Sequence, residues 1–332
     1  MSDRAAWLEA RRRTIGGSDV AAILGLSKWG TPFSVWLDKT GQTPEQGAQW
    51  IHVRGHLMEP LILAMYGDQY APEGSIVKPN TETMQGPARW HGGTPDAIVT
   101  QDGQRIGAAD AKTSLDWAAW PREDWAEYRD AQDVSQPGGL GMDVACQGYH
   151  YIELLDVPWL DFVVAMVPYR EDRMAATLWR ATDAATWTLL APTIAAHLLS
   201  LSEMRVFRLH RDRRTWARVI APRLEAWWAK HIEQGVVLPP DGSDAAAAWV
   251  KDRVSGQDIE RGVSQRADGH LAELLHAACN ASAAAKQKNR DLQKARNRLA
   301  LAMCEAQIKT TFFGGRSASL DRRGVLRLED RR

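Results

Sequence analysis

The stretch "GGTPDAIVTQDGQRIGAADAKTS", residues 92–114, holds two apolar runs separated by "QDGQ". A turn-prone Asp-Gly pair between such runs predicts a β-hairpin. Asp96 heads the first strand, and Asp110 and Lys112 end the second. Side chains two apart on a strand share a face, so Asp110 and Lys112 point the same way, and Asp96 can sit opposite them. Two carboxylates held close together repel each other and raise at least one pKa unless a cation joins them. Carboxylate oxygens so placed suit Mg²⁺ or Mn²⁺. The lysine can then orient or help deprotonate a metal-bound water, which is the equipment of phosphodiester hydrolysis. An Asp and a Lys two apart also describe an ordinary surface ion pair. The apolar "AIV" and "IGAA" around these charges favour burial, which is costly without a role.

The rest of the chain sets the bounds. At 332 residues and 45% apolar, it can bury one large core or two. Basic and acidic residues balance at 41 each, so contact with nucleic acid must be local, in a pocket or groove. Cys146, Cys279 and Cys304 are far apart and form no CxxC pair. That argues against a disulfide framework, a zinc ribbon or an iron–sulfur cluster, and it fits a reducing cytoplasm. The opening "MSDRAAWLEARRRT" has no apolar core of a signal peptide, and no apolar run is long enough to span a bilayer.

Residues 4–70 read as helices. "IGGSDVAAILGL" is a short one capped by Ser18 or Asp19, "TPFSVWLDKTG" is entered at Pro32, and a longer one is kinked or broken at Pro60. Strands are predicted at "GSIVKPN", "ARWHGG", "DAIVTQ", "RIGAADAKT", "WLDFVVAMVPY" and "RVFRLHRD", with a helix around Gln147. An Ala/Leu-rich helical segment near 171–203 reads as an insertion before the last strand. After a Pro/Gly linker the composition shifts. Residues 268–306 predict one long helix with a basic middle, followed by a small hairpin. The domain reading is a core over 1–250 and a C-terminal region over 251–332.

"TPDAIV…DAKT" resembles the PD-(D/E)XK nuclease signature, and more of the chain resembles the YqaJ-like viral recombinases, the branch that includes phage lambda exonuclease. The blocks "WLEARRRTIGGSDVAAILGLSKWGTPFSVWLDKTG", "QGYHYIELLDVPWLDFVV" and "FRLHRDRRTW…AWWAKHIEQGVVLPPDGSDAAAAW" occur in the family's order and cover roughly residues 4–250. The resemblance implies an α/β, restriction-endonuclease-like core with a mixed central sheet flanked by helices, plus a C-terminal helical arm. It further implies a 5′-to-3′ exonuclease on duplex DNA using Mg²⁺ (or Mn²⁺), two ions per site. Glu59 would complete the metal site with Asp96, Asp110 and the Ala111 carbonyl, Lys112 would position the water, and Gln147 would stand behind them. The family's second glutamine is Tyr149 here, and Asp110 stands where many relatives have Glu. Arg11, Ser18 and Lys28 would hold the 5′-phosphate. Their chemistry agrees: Arg11 offers a fork of donors, Ser18 a hydroxyl, and the glycine turn free N–H groups. A ring-shaped trimer, a single-strand annealing partner and a phage or prophage origin in a bacterial cytoplasm are implied in the same way.

His52, His56 and Glu59 share a helical face and could form a metal trio, although flanking polar positions are the plainer reading. Trp117, Trp120 and Trp125 could stack on unpaired bases, but loop packing is favoured. The basic stretch 286–298 could lie along DNA phosphates or serve as a self-association or partner-binding arm. The rival functions are an endonuclease or repair nuclease of the same superfamily, a non-catalytic DNA-end-binding or assembly factor, and a structural protein built around the helical arm.

Overall fold

A computed structural model describes residues 9–43, 47–116, 120, 140–255, 269–305, 310–313, 316–320 and 326–330. The chain divides into two compact units, Met1–Gln257 and Asp258–Arg332. In the first, the helices α1 (Gly17–Ile23), α2 (Pro32–Lys39) and α3 (Trp50–Gln69) precede the strands. Strands β1 (Ile76–Pro79), β2 (Met84–Gln85), β3 (Gly92–Gly93), β4 (Ala97–Gln101) and β5 (Gln104–Ser114) lead to α4 (Met142–Leu155) and β6 (Trp159–Met166). The helices α5 (Tyr169–Ala181) and α6 (Ala184–Ser200) then precede β7 (Glu203–His210). A helical run follows through Arg213–Thr215, a π-helical Trp216–Ile220, α7 (Ala221–Trp228) and a π-helical Ala229–Glu233, before α8 (Asp244–Ser255).

The main sheet has the order β1-β4-β5-β6-β7. Its β5–β6 pair is parallel and the other three are antiparallel, so the sheet is mixed as expected. Gln101 pairs with Gln104 across the β4–β5 turn, and both central residues have positive φ, 51° at Asp102 and 78° at Gly103. That is the demand of a type I′ turn, which Asp-Gly meets with little strain. A register shift between Val99 and Thr100 leaves an extra residue on β5, between the turn and the carboxylates. Gly107 follows it, and a Cβ there would lie 2.4 Å from the Trp159 ring.

Both faces of the sheet are buried. On β6, Leu160, Phe162 and Val164 join a core with α1, α2 and α4. Trp159, Val163 and Ala165 join a second core with α3, α5 and α6. A strand covered on both sides needs apolar residues at consecutive positions, which explains the unbroken "WLDFVVAM".

Four local expectations are corrected. The N-cap of α1 is Gly16, not Ser18 or Asp19; Asp19 instead accepts from the Gly16 N–H at 2.8 Å, as the returning half of a capping box. Helix α3 is not broken at Pro60 but continues as one element through it. Pro60 deprives the His56 carbonyl of its helical donor, but both residues are exposed, where water can replace the lost bond. The strand expected at "ARWHGG" shrinks to Gly92–Gly93 paired with β2, with an isolated bridge from His91 to Ile15. In the second unit, α9 (Gly269–Glu305) is the expected long helix, but the tail is a three-stranded antiparallel sheet rather than a hairpin: β8 (Thr310–Phe313), β9 (Arg316–Leu320) and β10 (Leu326–Asp330) in the order β10-β9-β8. Among the described residues, no helix is long and apolar enough to cross a membrane.

Candidate active site

The hairpin delivers its charges to one place. Asp110 is wholly buried, and its Oδ2 pairs with the Lys112 ammonium from the same face of β5. Its Oδ1 accepts from Gln147 Nε2 at 3.2 Å, which joins α4 to the strand. Asp96, just before β4, accepts from the Ala111 N–H through Oδ2 at 2.8 Å. Glu59 comes from α3 and senses the charges of Asp110 and Lys112.

These groups perturb one another. Burial, then repulsion by Asp110 and Glu59, pushes Asp96 up to about 8. Burial and Asp110 also raise Glu59, with His56 and Lys112 opposing. Burial works against a charge on Lys112, but Asp110, Asp96 and Glu59 outweigh it and raise its pKa. Three carboxyl groups thus share one ammonium, a surplus of negative charge in a partly desolvated place. Among the described residues, no group of three or more His, Cys, Asp or Glu is arranged to hold a metal ion as it stands.

A second feature adjoins this cluster. Arg11, Thr14, Gly16, Gly17, Ser18, Thr83, Gly93, Thr94 and Tyr151 line a cavity of about 90 Å³. Arg11 Nη2 donates to Ser18 Oγ at 3.1 Å and lies 3.8 Å from Asp19 Oδ1. Lys39, its ammonium fully buried, meets Asp19 Oδ2 at 2.6 Å and donates to the Arg11 carbonyl at 3.0 Å. Burial alone would raise Asp19, but Lys39 and Arg11 hold it below its ordinary value. The Asp19–Lys39 pair therefore fixes the Arg11 segment against α1 and α2. Asp19 is read from the sequence only as a helix cap and Lys39 not at all, because their partnership joins positions on separate helices.

The other candidates separate clearly. Lys28 is exposed, lies 5.2 Å over the Trp29 ring and is absent from the cavity lining. His56 Nδ1 stands 4.0 Å from Glu59 Oε2, while His52 is exposed on the preceding turn. Tyr149 lies in the core, where burial and the charge of Asp212 push its phenol up to about 12. Trp120 stacks on Phe207 at 5.5 Å, so it packs; Trp117 and Trp125 lie outside the described residues. Tyr151 carried no expectation. Its signal was the spacing of four from Gln147, which places both on one face of α4.

Residues 6–130 match the family model of the YqaJ-like viral recombinase domain, so the resemblance read from the sequence is found there. This segment holds Arg11, Ser18, Lys28, Glu59, Asp96, Asp110 and Lys112, and it is shorter than the span of about 4–250 over which the resemblance was read; Gln147 lies beyond it. A 43-residue segment is 63% identical to an uncharacterized protein YqaJ of Bacillus subtilis (strain 168), covering 13% of this chain and 14% of that protein. The match thus spans about one seventh of the relative's length. Among solved structures, an alkaline exonuclease (LHK-Exo) from Laribacter hongkongensis is 16% identical over 76% of this chain and 98% of its own, with a TM-score of 0.43. The same protein in complex with dAMP gives 0.44 at the same identity and coverage. A phage related exonuclease from Haemophilus somnus 129PT gives 0.40, at 14% identity over 75% of this chain and 98% of its own.

Proposed function

We propose that this protein is a Mg²⁺-dependent deoxyribonuclease that degrades duplex DNA from the 5′ end and leaves 3′ single strands for recombination. The observation that carries the reading is the unbalanced cluster: Asp110 buried beside Asp96 and Glu59, with Lys112 the ammonium they share. An all-oxygen donor set with surplus negative charge fits a hard divalent ion, and Mn²⁺ would substitute. Glu59, Asp96, Asp110 and the Ala111 carbonyl would hold it. When bound, it would supply Lewis-acid stabilisation of the charge on the attacked phosphate.

The protein groups have their own tasks. Gln147 holds one oxygen of Asp110, and the Ala111 N–H holds one oxygen of Asp96, so both carboxylates are oriented before any ligand arrives. Lys112, tethered to Asp110, positions the attacking water by donating to it. The cavity with Arg11 and Ser18 would receive the terminal phosphate, and this favours an exonuclease over an endonuclease because a chain end carries the dianionic group. The match to a viral recombinase domain supports a recombination role. A ring-shaped trimer, an annealing protein as partner and a cytoplasmic site belong to the same proposal and rest on family resemblance alone.

The test is digestion of linear duplex labelled at one 5′ end, with or without a 5′-phosphate, by wild type and Lys112→Ala in Mg²⁺ and in EDTA. Release of mononucleotides from the 5′ end, favoured by the phosphate and lost in the variant and in EDTA, is expected. Internal cuts or nicking of closed circles would keep the metal site and discard the end-anchoring role. DNA bound but uncut in both Mg²⁺ and Mn²⁺ would favour an end-binding factor.

A further inference from the structure

Tyr151 has no part in the reaction outlined above, yet it touches on both features that reaction uses. It lines the cavity with Arg11 and Ser18, and its phenol feels the charges of Asp110, Asp96, Arg11 and Asp19. Two glycines make room for the ring. A Cβ at Gly17 would come within 2.6 Å of Tyr151 Cζ, and one at Gly93 within 2.8 Å of Cε1. Gly93 also has a φ of 153°, which side chains rarely adopt. The backbone at both glycines is thus bare where the phenol lies.

The residue is 6% exposed, and a phenol so placed normally finds a partner. Tyr66 does, donating to Asp161 at 2.6 Å. Among the described residues, the Tyr151 hydroxyl has no hydrogen-bond partner, while its residue lines the cavity. Thr14 repeats the pattern: it is 4% exposed, lines the same cavity, and keeps a buried hydroxyl without a protein partner. A buried threonine hydroxyl and a phenol, neither with a hydrogen-bond partner among the described residues, line with Arg11 a cavity wall suited to an oxyanion.

We infer that Tyr151 donates a hydrogen bond to the terminal 5′-phosphate of the DNA strand and thereby distinguishes phosphorylated from hydroxyl ends. This rests on the nuclease reading above and names a recognition residue within it. The ring, packed against Gly17 and Gly93, sets the phosphate at a fixed offset from the carboxylates and so links end recognition to the bond that is cut.

The test is Tyr151→Phe, which keeps the ring in its glycine cradle and removes only the hydroxyl. Steady-state cleavage of duplexes with 5′-phosphate and 5′-hydroxyl ends is compared with that of wild type, together with binding of both duplexes in EDTA and a melting curve to confirm folding. On phosphorylated ends kcat/KM and binding are expected to fall roughly tenfold or more, as for a lost hydrogen bond to a charged group. On hydroxyl ends the losses should be several-fold smaller, because the phosphate that the Tyr151 hydroxyl serves is absent. Equal losses on the two substrates, or no loss on either, would overturn the role of Tyr151 and leave the nuclease intact. Wild type that cleaves without preferring phosphate would overturn the cavity's role and that of Tyr151 with it. Absence of cleavage by wild type would discard the nuclease reading, and the binding comparison would still decide for or against Tyr151.

Discussion

Asp110 and Asp161 are both sunk in the same sheet, on the adjacent parallel strands β5 and β6, at 0% and 1% exposure. Their surroundings differ. Asp161 receives Arg208 Nε at 2.7 Å on one oxygen and Nη2 at 2.8 Å on the other, with the Tyr66 hydroxyl donating at 2.6 Å. The Arg208 guanidinium is itself stacked 3.8 Å over the Trp159 ring. Both carboxylate oxygens are answered, and the charges of Asp161 and Arg208 cancel. Around Asp110, one ammonium serves three carboxyl groups, and the pKa of Asp96 climbs to about 8 in consequence. Burial alone therefore does not mark a functional carboxylate; burial without matched charge does.

The comparison is broken most directly by exchanging each acid for its amide. Asp96→Asn or Asp110→Asn is expected to lower kcat on duplex DNA by about a thousandfold, the cost of losing several kcal/mol of charge stabilisation. For Asp96→Asn melting should hold at neutral pH, because burial and its carboxylate neighbours already keep the Asp96 carboxyl protonated and the amide is neutral as well. Asp161→Asn should do the reverse, lowering unfolding free energy by about 3 kcal/mol while cleavage persists. Chemical denaturation and initial rates on the same preparations check both. If Asp96→Asn proved as destabilising as Asp161→Asn, the distinction between the two sites would fall.

Gln147→Ala sharpens the contrast next. It leaves the charges unchanged and frees one oxygen of Asp110, so kcat should fall roughly ten- to a hundredfold, with little change in melting. A pH series gives a smaller effect with a definite sign. The folded state keeps the Asp96 proton up to about pH 8, whereas the unfolded chain releases it near 3.8, so between these values folding takes up a proton and stability falls as pH rises. Metal-free melting of wild type should decline toward pH 8 relative to Asp96→Asn, and Mg²⁺ should restore it. His150 acts with the opposite sign: burial and His91 hold it near 3, so it costs stability only as pH drops below 6.5. Thr113→Val is the mildest change. It removes the hydroxyl that accepts from Arg54 Nε at 3.1 Å and should cost about 1 kcal/mol, read by denaturation.

Arg54 also illustrates what a linear reading misses. From α3 it donates to Thr113 at the end of β5 and to Asp172 on α5, 118 residues away, where Trp50 Nε1 also donates at 2.7 Å. Trp50 packs against Trp179 and Trp187 of α5 and α6. The helical pair that looked inserted thus braces the helix that carries Glu59. Composition identifies such residues as helical and apolar but not as mutual partners. The same holds for Lys39, an ordinary lysine in the last turn of α2 until its ammonium is found buried on Asp19. Lys28 is the converse: a basic residue at the expected spacing, displayed on Trp29 and not in the cavity lining.

Local rules were sufficient for the hairpin. Alternation places Asp110 and Lys112 on one face, and the Asp-Gly turn closes the strands, because both depend on backbone geometry within a few residues. The same rules located β6, the helix around Gln147 and the long α9. They could not decide that Pro60 would be carried within α3 or that the tail would form a third strand, since those outcomes depend on solvent access and on pairing partners. Least of all could they separate Asp161 from Asp110. Chain order and strand alternation were enough to say where the acids lie along the strands and which of them share a face with a lysine. The tertiary structure alone decided which are neutralised, because desolvation and pairing are set by groups far along the chain: Arg208 and Tyr66 for one, Glu59 and Gln147 for the other.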